Sequence, residues 1–393
     1  MLFSIAMMML LGLVLNRICQ SVKLPGLIGM LITGVMLGPY GLNIIDQSVL
    51  SISSDIRKIA LIIILTRAGL SLDVSGLKKI GRPALMMCFV PASFELIGMI
   101  CFAPGLLGIS TLEAAIMGAV LAAVSPAVVV PRMVKLIEEG YGNKKQIPQL
   151  ILAGASVDDV YVIVLFTTFL RMIQGDGISF IRFVNIPVSI VLGIIIGLFT
   201  GWILALLFKK FHMRDTVKIM VILSFSFVLV YIEDMLSTPI TYSALIAIMF
   251  IGVALTQYRE VVSVRLQSKY NKLWVVAEVF LFVLVGASVN INYLESVGVK
   301  AVLVIAGALL FRMLGVFVCL LGTNLTRKER LFTMMAYTPK ATVQAAIGGI
   351  PLSVGLSCGD IVLTVAVLAI VTTAPLGAFA IDSTYKALIT KEQ

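Results

Sequence analysis

Ionisable side chains inside apolar stretches are the clearest chemical signal in this 393-residue sequence. Such groups are costly at membrane depth unless they are paired or hydrated, so each is a functional candidate. We select six that stand well inside long apolar runs: Arg67, Glu95, Asp158, Asp159, Arg312 and Lys340. Asp158 and Asp159 are the strongest, because carboxylate oxygens suit both protons and small hard cations. A proton and a cation that compete for one carboxylate would be exchanged in a coupled way.

The two neighbouring aspartates cannot play the same part on a regular helix. Adjacent positions point about 100° apart, so we expect one carboxylate to face the ligand and the other to support it. Glu95 and Arg312 both lie near mid-span and are expected to pair. Lys340 follows Pro339 and could balance the negative C-terminal ends of two half-helices as well as the aspartates. If a basic group cycles with transport, it must be Lys340, because arginine keeps its proton.

Composition identifies the elements that must position these groups. The chain is 60% hydrophobic and 13% charged, whereas soluble domains carry about 25% charged residues. This excludes a large soluble domain and predicts an all-α polytopic membrane protein. Apolar runs long enough to cross a bilayer define thirteen predicted segments, at about 2–18, 24–38, 55–73, 82–104, 111–135, 146–173, 183–208, 215–232, 239–256, 272–290, 298–322, 330–353 and 357–382.

The distribution of lysine and arginine predicts the orientation. Loops after odd-numbered segments, with the C-terminus, hold 22 basic residues, and the other loops hold 5. Cytoplasmic loops carry the excess, so the N-terminus is expected outside and the C-terminus in the cytoplasm. The net charge of +10 is thus explained by topology, with no nucleic-acid partner. A cell inner (plasma) membrane suits the compact chain. Arg67 lies nearer the inner end of its segment, where it could snorkel or pair with Asp73.

Two segments contain a central proline. Segment 5 is interrupted at Ser125-Pro126 and segment 12 at Thr338-Pro339. Paired interrupted helices in two halves of a transporter mark its binding site, and Ser125 and Thr338 are candidate oxygen ligands there. The spacing of seven helices predicts two inverted six-helix repeats, segments 1–6 and 8–13, with crossed discontinuous helices and segment 7 as linker.

Several motifs resemble the monovalent cation:proton antiporter superfamily, specifically its NHA-type sodium/proton exchanger branch. They are LPGLIGMLITGVMLGPYGL at 24–42, LTRAGLSLD at 65–73, VSPAVVVPRM at 124–133, GASVDD at 154–159 and PKATVQAAIG at 339–348. The resemblance implies a homodimer in which a mobile core moves like an elevator against a dimer-forming scaffold. The implied domains are scaffold 1–81, core 82–182, linker and scaffold 183–297, and core 298–393.

The same resemblance assigns roles to individual residues. Asp159 would be the principal carboxylate for Na⁺ or Li⁺ and for the proton, and Asp158 its partner. Lys340 and Arg312 would be the basic residues around the crossover, and Glu95 the acid that faces the arginine. The implied activity is secondary active antiport in the lipid bilayer, not an enzyme reaction, and requires no cofactor.

Other functions fit parts of the pattern. A Na⁺-coupled organic-anion symporter on a similar crossed-helix plan would also use broken helices, and a K⁺/H⁺ antiporter would use the same carboxylates. An intramembrane aspartyl protease needs two aspartates facing each other from separate helices, whereas Asp158 and Asp159 are neighbours. A non-transporting ion sensor is a further alternative, because sequence alone does not reveal turnover.

Overall fold

A computed structural model describes residues 1–72, 80–176, 180–236 and 242–391 of the chain. Across these ranges the backbone is helical, apart from turns and one isolated bridge between Tyr141 and Lys391. The predicted all-α class is therefore confirmed.

The described ranges contain eighteen α-helices, numbered in chain order. They are α1 Leu2–Ser21, α2 Gly26–Leu37, α3 Gln47–Ser51, α4 Ser53–Ser71, α5 Arg82–Met87, α6 Val90–Leu107, α7 Thr111–Leu121, α8 Pro126–Glu138, α9 Ile147–Arg171, α10 Phe180–Lys210, α11 Asp215–Met235, α12 Ala244–Tyr258, α13 Glu260–Ala287, α14 Ile291–Cys319, α15 Arg327–Ala336, α16 Thr342–Ile347, α17 Ile350–Ser353 and α18 Gly359–Leu388. A π-helical turn, Met172–Asp176, extends α9.

Each of the thirteen predicted segments coincides with a helix or with a run of shorter helices. Within the described ranges, nine spans are long and apolar enough to cross a membrane, and α2 and α12 are shorter apolar helices. The chain is thus a multi-span membrane protein. The count of thirteen membrane-spanning helices and the inverted repeats remain predictions.

The two interrupted helices begin in the same way. The side chains of Ser110 at α7 and Thr326 at α15 each accept a hydrogen bond from the backbone N–H of the acid three residues later. The carboxylate of that acid, Glu113 or Glu329, accepts from the backbone N–H of the cap residue. This capping box satisfies two of the free donors at each helix start.

The chain divides into two compact units. The first comprises Met1–Asp55, Asp73–Val162 and Val279–Gln393, and the second comprises Ile56–Leu72 and Ile163–Glu278. Every candidate site residue except Arg67 belongs to the first unit. The boundaries between scaffold and core stay a prediction.

Candidate functional site

The break between α7 and α8 leaves backbone groups without helical hydrogen-bond partners, and side chains from other helices bond to them. Pro126 has no N–H, so in a continuous helix the carbonyl of Ala122 would lack its donor. The Arg312 guanidinium donates to that carbonyl. The N–H of Val124 in turn donates to Asp158 Oδ2 at 2.9 Å. Residues from α14 and α9 therefore stabilise a stretch of non-helical backbone at membrane depth.

The break after α15 follows the same chemistry. Pro339 cannot donate to the carbonyl of Met335, and the Thr338 hydroxyl donates to it at 2.8 Å. The carbonyl of Tyr337, two residues before Pro339, accepts from Arg312 Nε at 2.6 Å. Arg312 thus serves a carbonyl in each break. The arginine fork, with five donors, meets both of these C-terminal ends, and a charge-balancing role of Lys340 there stays a prediction.

A third interruption, between α5 and α6, was not predicted. Pro91 is the second residue of the second helix and leaves the carbonyl of Met87 without its helical donor. The Tyr337 hydroxyl donates to this carbonyl at 3.0 Å, and the Tyr337 ring lies under the Arg312 guanidinium, 4.8 Å from the ring centroid. The signal that could have revealed these contacts is the carbonyl four residues before each proline.

Direct bonds hold the two breaks against each other. The N–H of Ser125 donates to the carbonyl of Pro339 at 2.8 Å. The Gln344 amide donates to the carbonyls of Leu121 and Ala123 at 3.2 and 2.9 Å. Gln344 lies within the PKATVQAAIG motif, but the sequence did not predict this role. The two breaks are thus joined by direct hydrogen bonds, and this contact between them is called the crossing below; the crossed arrangement of the helices themselves stays a prediction.

Four buried charges form one connected network beside the crossing. Arg312 donates to Glu95 Oε2 at 2.8 Å and to Asp158 Oδ2 at 2.7 Å. Lys340 Nζ donates to the same Glu95 oxygen at 2.5 Å. The predicted pairing of Glu95 with Arg312 is confirmed, although it is part of a larger set. Two acids meet two bases, so these four charges balance.

Asp159 stands outside this balance. It is 8% exposed, and its Oδ1 has no hydrogen-bond partner among the described residues. Asp158 and three residues at or just after the two breaks also carry buried oxygens without a partner among the described residues: Ser125 Oγ, Asp158 Oδ1, Thr342 Oγ1 and Gln344 Oε1. Buried polar atoms are rarely left unpaired, so these oxygens suit a cation, a proton or water.

The donor set consists of carboxylate, hydroxyl and amide oxygens. Such hard ligands suit an alkali-metal ion better than a transition metal. In the part of the chain that the structure describes, no group of three or more His, Cys, Asp or Glu side chains could hold a metal ion. Thr338, the other predicted oxygen ligand, is half-buried and already donates its hydroxyl proton to Met335.

The remaining candidate, Arg67, has a different environment. It belongs to the second unit, where its guanidinium interacts electrostatically with the Glu278 carboxylate. The predicted partner Asp73 lies outside the described residues. Glu278 was missed among the intramembrane acids, although it stands in predicted segment 10, six residues after Lys272.

Comparison with known proteins identifies the family of the chain. Residues 5–384 match the family model described as sodium/hydrogen exchanger, transmembrane. The chain belongs to the sodium/hydrogen exchanger family. Its members are transporters rather than enzymes. The NHA-type resemblance agrees with the relatives: human sodium/hydrogen exchanger 9B2 is 35% identical over 95% of this chain and 71% of its own length, and human 9B1 is 32% identical over 93% and 72%.

A solved exchanger structure supports the fold. The sodium proton antiporter MjNhaP1 from Methanocaldococcus jannaschii, at pH 8, superposes with a TM-score of 0.83. The match covers 98% of this chain and 96% of the antiporter at 21% identity. At that identity the likeness shows a shared fold alone, so the roles of individual residues depend on the geometry above.

Proposed function

We propose that this protein is a secondary active antiporter that exchanges Na⁺ or Li⁺ for H⁺ across a membrane. In this proposal, proton and cation compete for Asp159, and Asp158 is its partner. Family membership supports the cation/proton exchange class. The carboxylate that carries the exchange is inferred from the charge balance of the buried cluster.

The unpaired charge of Asp159 is the observation on which the proposal depends. Glu95 and Asp158 are neutralised by Arg312 and Lys340, which leaves Asp159 as the additional acid. An uncompensated negative charge in a poorly hydrated site is costly. Binding one proton or one alkali-metal ion removes that cost, and either ligand displaces the other. Coupled exchange follows from this competition.

Further oxygens complete the proposed cation site. Asp158 Oδ1 and Ser125 Oγ are buried and unpartnered among the described residues, and Thr338 contributes its hydroxyl lone pair. Arg312, Lys340 and Glu95 then serve as charge-balancing residues that keep the non-helical backbone in place. Because Arg312 holds carbonyls in both breaks, the site would move as one body.

The transport cycle that we propose is elevator-like alternating access. Core segments 82–182 and 298–393 would move against scaffold segments 1–81 and 183–297 in a homodimer. The protein would lie in the cell inner membrane with its N-terminus outside and its C-terminus cytoplasmic. Monovalent cations and protons are the transported substrates, and no cofactor is required.

The test uses purified protein in proteoliposomes with a trapped pH-sensitive dye. We expect addition of Na⁺ or Li⁺ to dequench the dye, a protonophore to abolish the signal, and Asp159→Asn to abolish the ion response. Asp382→Asn is the matched control, because Asp382 is half-exposed and pairs with Arg132 at the surface; it should retain activity.

The other outcomes separate the alternatives. A response to K⁺ alone would indicate K⁺/H⁺ antiport. No response to any of the three ions, with active uptake of an organic anion driven by Na⁺, would indicate symport. An Asp159→Asn variant as active as wild type would remove the carboxylate assignment.

A further inference from the structure

A basic cleft lies within the second unit, and none of its lining residues belongs to the crossing. It encloses about 470 Å³ at the end of α10, the start of α11 and the start of α13. Its lining is Phe208, Lys209, His212, Met213, Arg214, Asp215, Lys218, Arg259, Val262 and Arg265. This size falls within the range of small-molecule binding clefts.

The cleft carries a large excess of positive charge. Five of its lining residues are lysine or arginine, and Asp215 is the one acid among them. That acid is already engaged: Asp215 accepts from Lys218 Nζ at 3.2 Å and from Arg265 Nε at 3.0 Å. Lys209, Arg214 and Arg259 therefore have no acid in the lining to neutralise them, and the local potential favours an anion.

Arg259 is the best-placed anion ligand. It occupies the junction between α12, which ends at Tyr258, and α13, which begins at Glu260. Its side chain is half-buried, and Nε is buried without a hydrogen-bond partner among the described residues. Arginine presents planar donors that match phosphate oxygens. A buried donor directed at no protein acceptor suits an external one.

The loop that lines the cleft joins two candidate membrane spans, and short loops between spans lie at the membrane surface. Residues 211–214 connect Pro187–Lys210 and Asp215–Met235, which are both apolar enough to span. Lipid phosphates occupy this level, and basic pockets between membrane helices bind anionic head groups. Phe211 and Val261, chain neighbours of lining residues, are large exposed apolar side chains that suit contact with acyl chains.

We propose that this cleft binds a phosphate-bearing anion, with Arg259 as the central ligand and Lys209 and Arg214 at the rim. The chemistry is shared by the head group of an anionic phospholipid and by free phosphate. The position at the membrane surface favours the lipid. This inference is independent of the transport proposal, because no residue of the cleft belongs to the crossing.

The test measures thermal unfolding of the delipidated, full-length protein in detergent. Phosphatidylglycerol, cardiolipin, phosphatidylcholine and inorganic phosphate are added separately at matched ionic strength. We expect the two anionic lipids to raise the melting temperature more than phosphatidylcholine does. An equal rise with inorganic phosphate would identify a soluble phosphate ligand. No rise with any of the anions would overturn the proposal.

Matched variants locate the effect. Lys209→Gln with Arg214→Gln removes two rim charges, and we expect binding about 25-fold weaker, since each basic residue near a membrane surface contributes about a factor of five. Arg17→Gln with Lys23→Gln is the control, because Arg17 in α1 and Lys23 just after it are both exposed and lie outside the cleft lining.

Arg259→Lys adds a test of geometry. It keeps the charge but loses the planar fork, so binding should be weaker than in wild type and stronger than in Arg259→Gln. Native mass spectrometry of retained phospholipid gives a second readout for any variant of low stability. If the cleft and control pairs lose lipid equally, the cleft is not the site.

Discussion

The two helix breaks are similar in sequence but are satisfied in different ways. The break after α7 brings no charged side chain of its own, and its backbone is met by Asp158, Arg312 and Gln344 from elsewhere. The break after α15 carries Lys340 and is followed by Gln344, and both side chains reach other elements. The first break contributes only backbone groups to these contacts, whereas the second contributes both backbone groups and side chains.

The residues that satisfy the breaks can be ranked by the number of hydrogen bonds that each one makes to them. Arg312 bonds to a carbonyl in each break and to two acids. Gln344 serves the first break with two bonds. Thr373 serves the second with one, as it accepts from the N–H of Lys340 at 2.9 Å. We therefore expect the cost of substitution to fall in that order.

Loss of Arg312 should have the largest effect. Arg312→Met leaves Glu95, Asp158 and two backbone carbonyls without this donor, and breaking a buried ion pair costs about 3–5 kcal/mol. The measurement is thermal unfolding in detergent. The stability of Arg312→Lys should lie between that of the wild type and that of Arg312→Met, because an ammonium keeps the charge but cannot reach all the acceptors that the guanidinium reaches.

Arg132→Met provides the control for this experiment. Arg132 pairs with Asp382 at 3.1 Å, and the Asp382 side chain is 51% exposed. Surface pairs contribute about 0–1 kcal/mol, so the variant should unfold close to wild type. If Arg312→Met and Arg132→Met lost the same unfolding free energy, the two breaks would not depend on Arg312.

The sequence predicted the helices and two of the breaks because apolar length and proline act locally. It also predicted that Glu95 and Arg312 pair, since unpaired charges at the same depth are costly. It did not predict the partner of Lys340, because which of three nearby acids it contacts depends on helix rotation. Gln344 was missed because one neutral amide in an apolar helix leaves no periodic signal.

Gln344 and Thr373 allow the stability contributions of single side chains at the two breaks to be compared. Gln344→Leu leaves the carbonyls of Leu121 and Ala123 without this donor, and Thr373→Val leaves the N–H of Lys340 without its acceptor. At about 1–3 kcal/mol for each buried unpaired group, the first variant should cost about twice the second in unfolding free energy. A larger loss in Thr373→Val would reverse the assigned order.

Substitutions of Ser125 and Thr338 should have the smallest effects on stability. Effects of these substitutions on transport would therefore report on ion binding rather than on folding. Ser125 Oγ is buried without a partner among the described residues, so Ser125→Ala should leave the unfolding temperature unchanged. Thr338 donates to the carbonyl of Met335, so Thr338→Val should lose about 1 kcal/mol, the usual net value of one hydrogen bond.

Transport assays provide the second half of this comparison. If Ser125 Oγ is a cation ligand, Ser125→Ala should raise the apparent KM for Na⁺ by roughly tenfold, equivalent to about 1.4 kcal/mol of binding, in a fully folded protein. Unchanged stability together with an unchanged KM would exclude Ser125 as a ligand. The unpaired oxygen would then be satisfied by water, and the cation site would depend on the aspartates and the remaining oxygens of the second break.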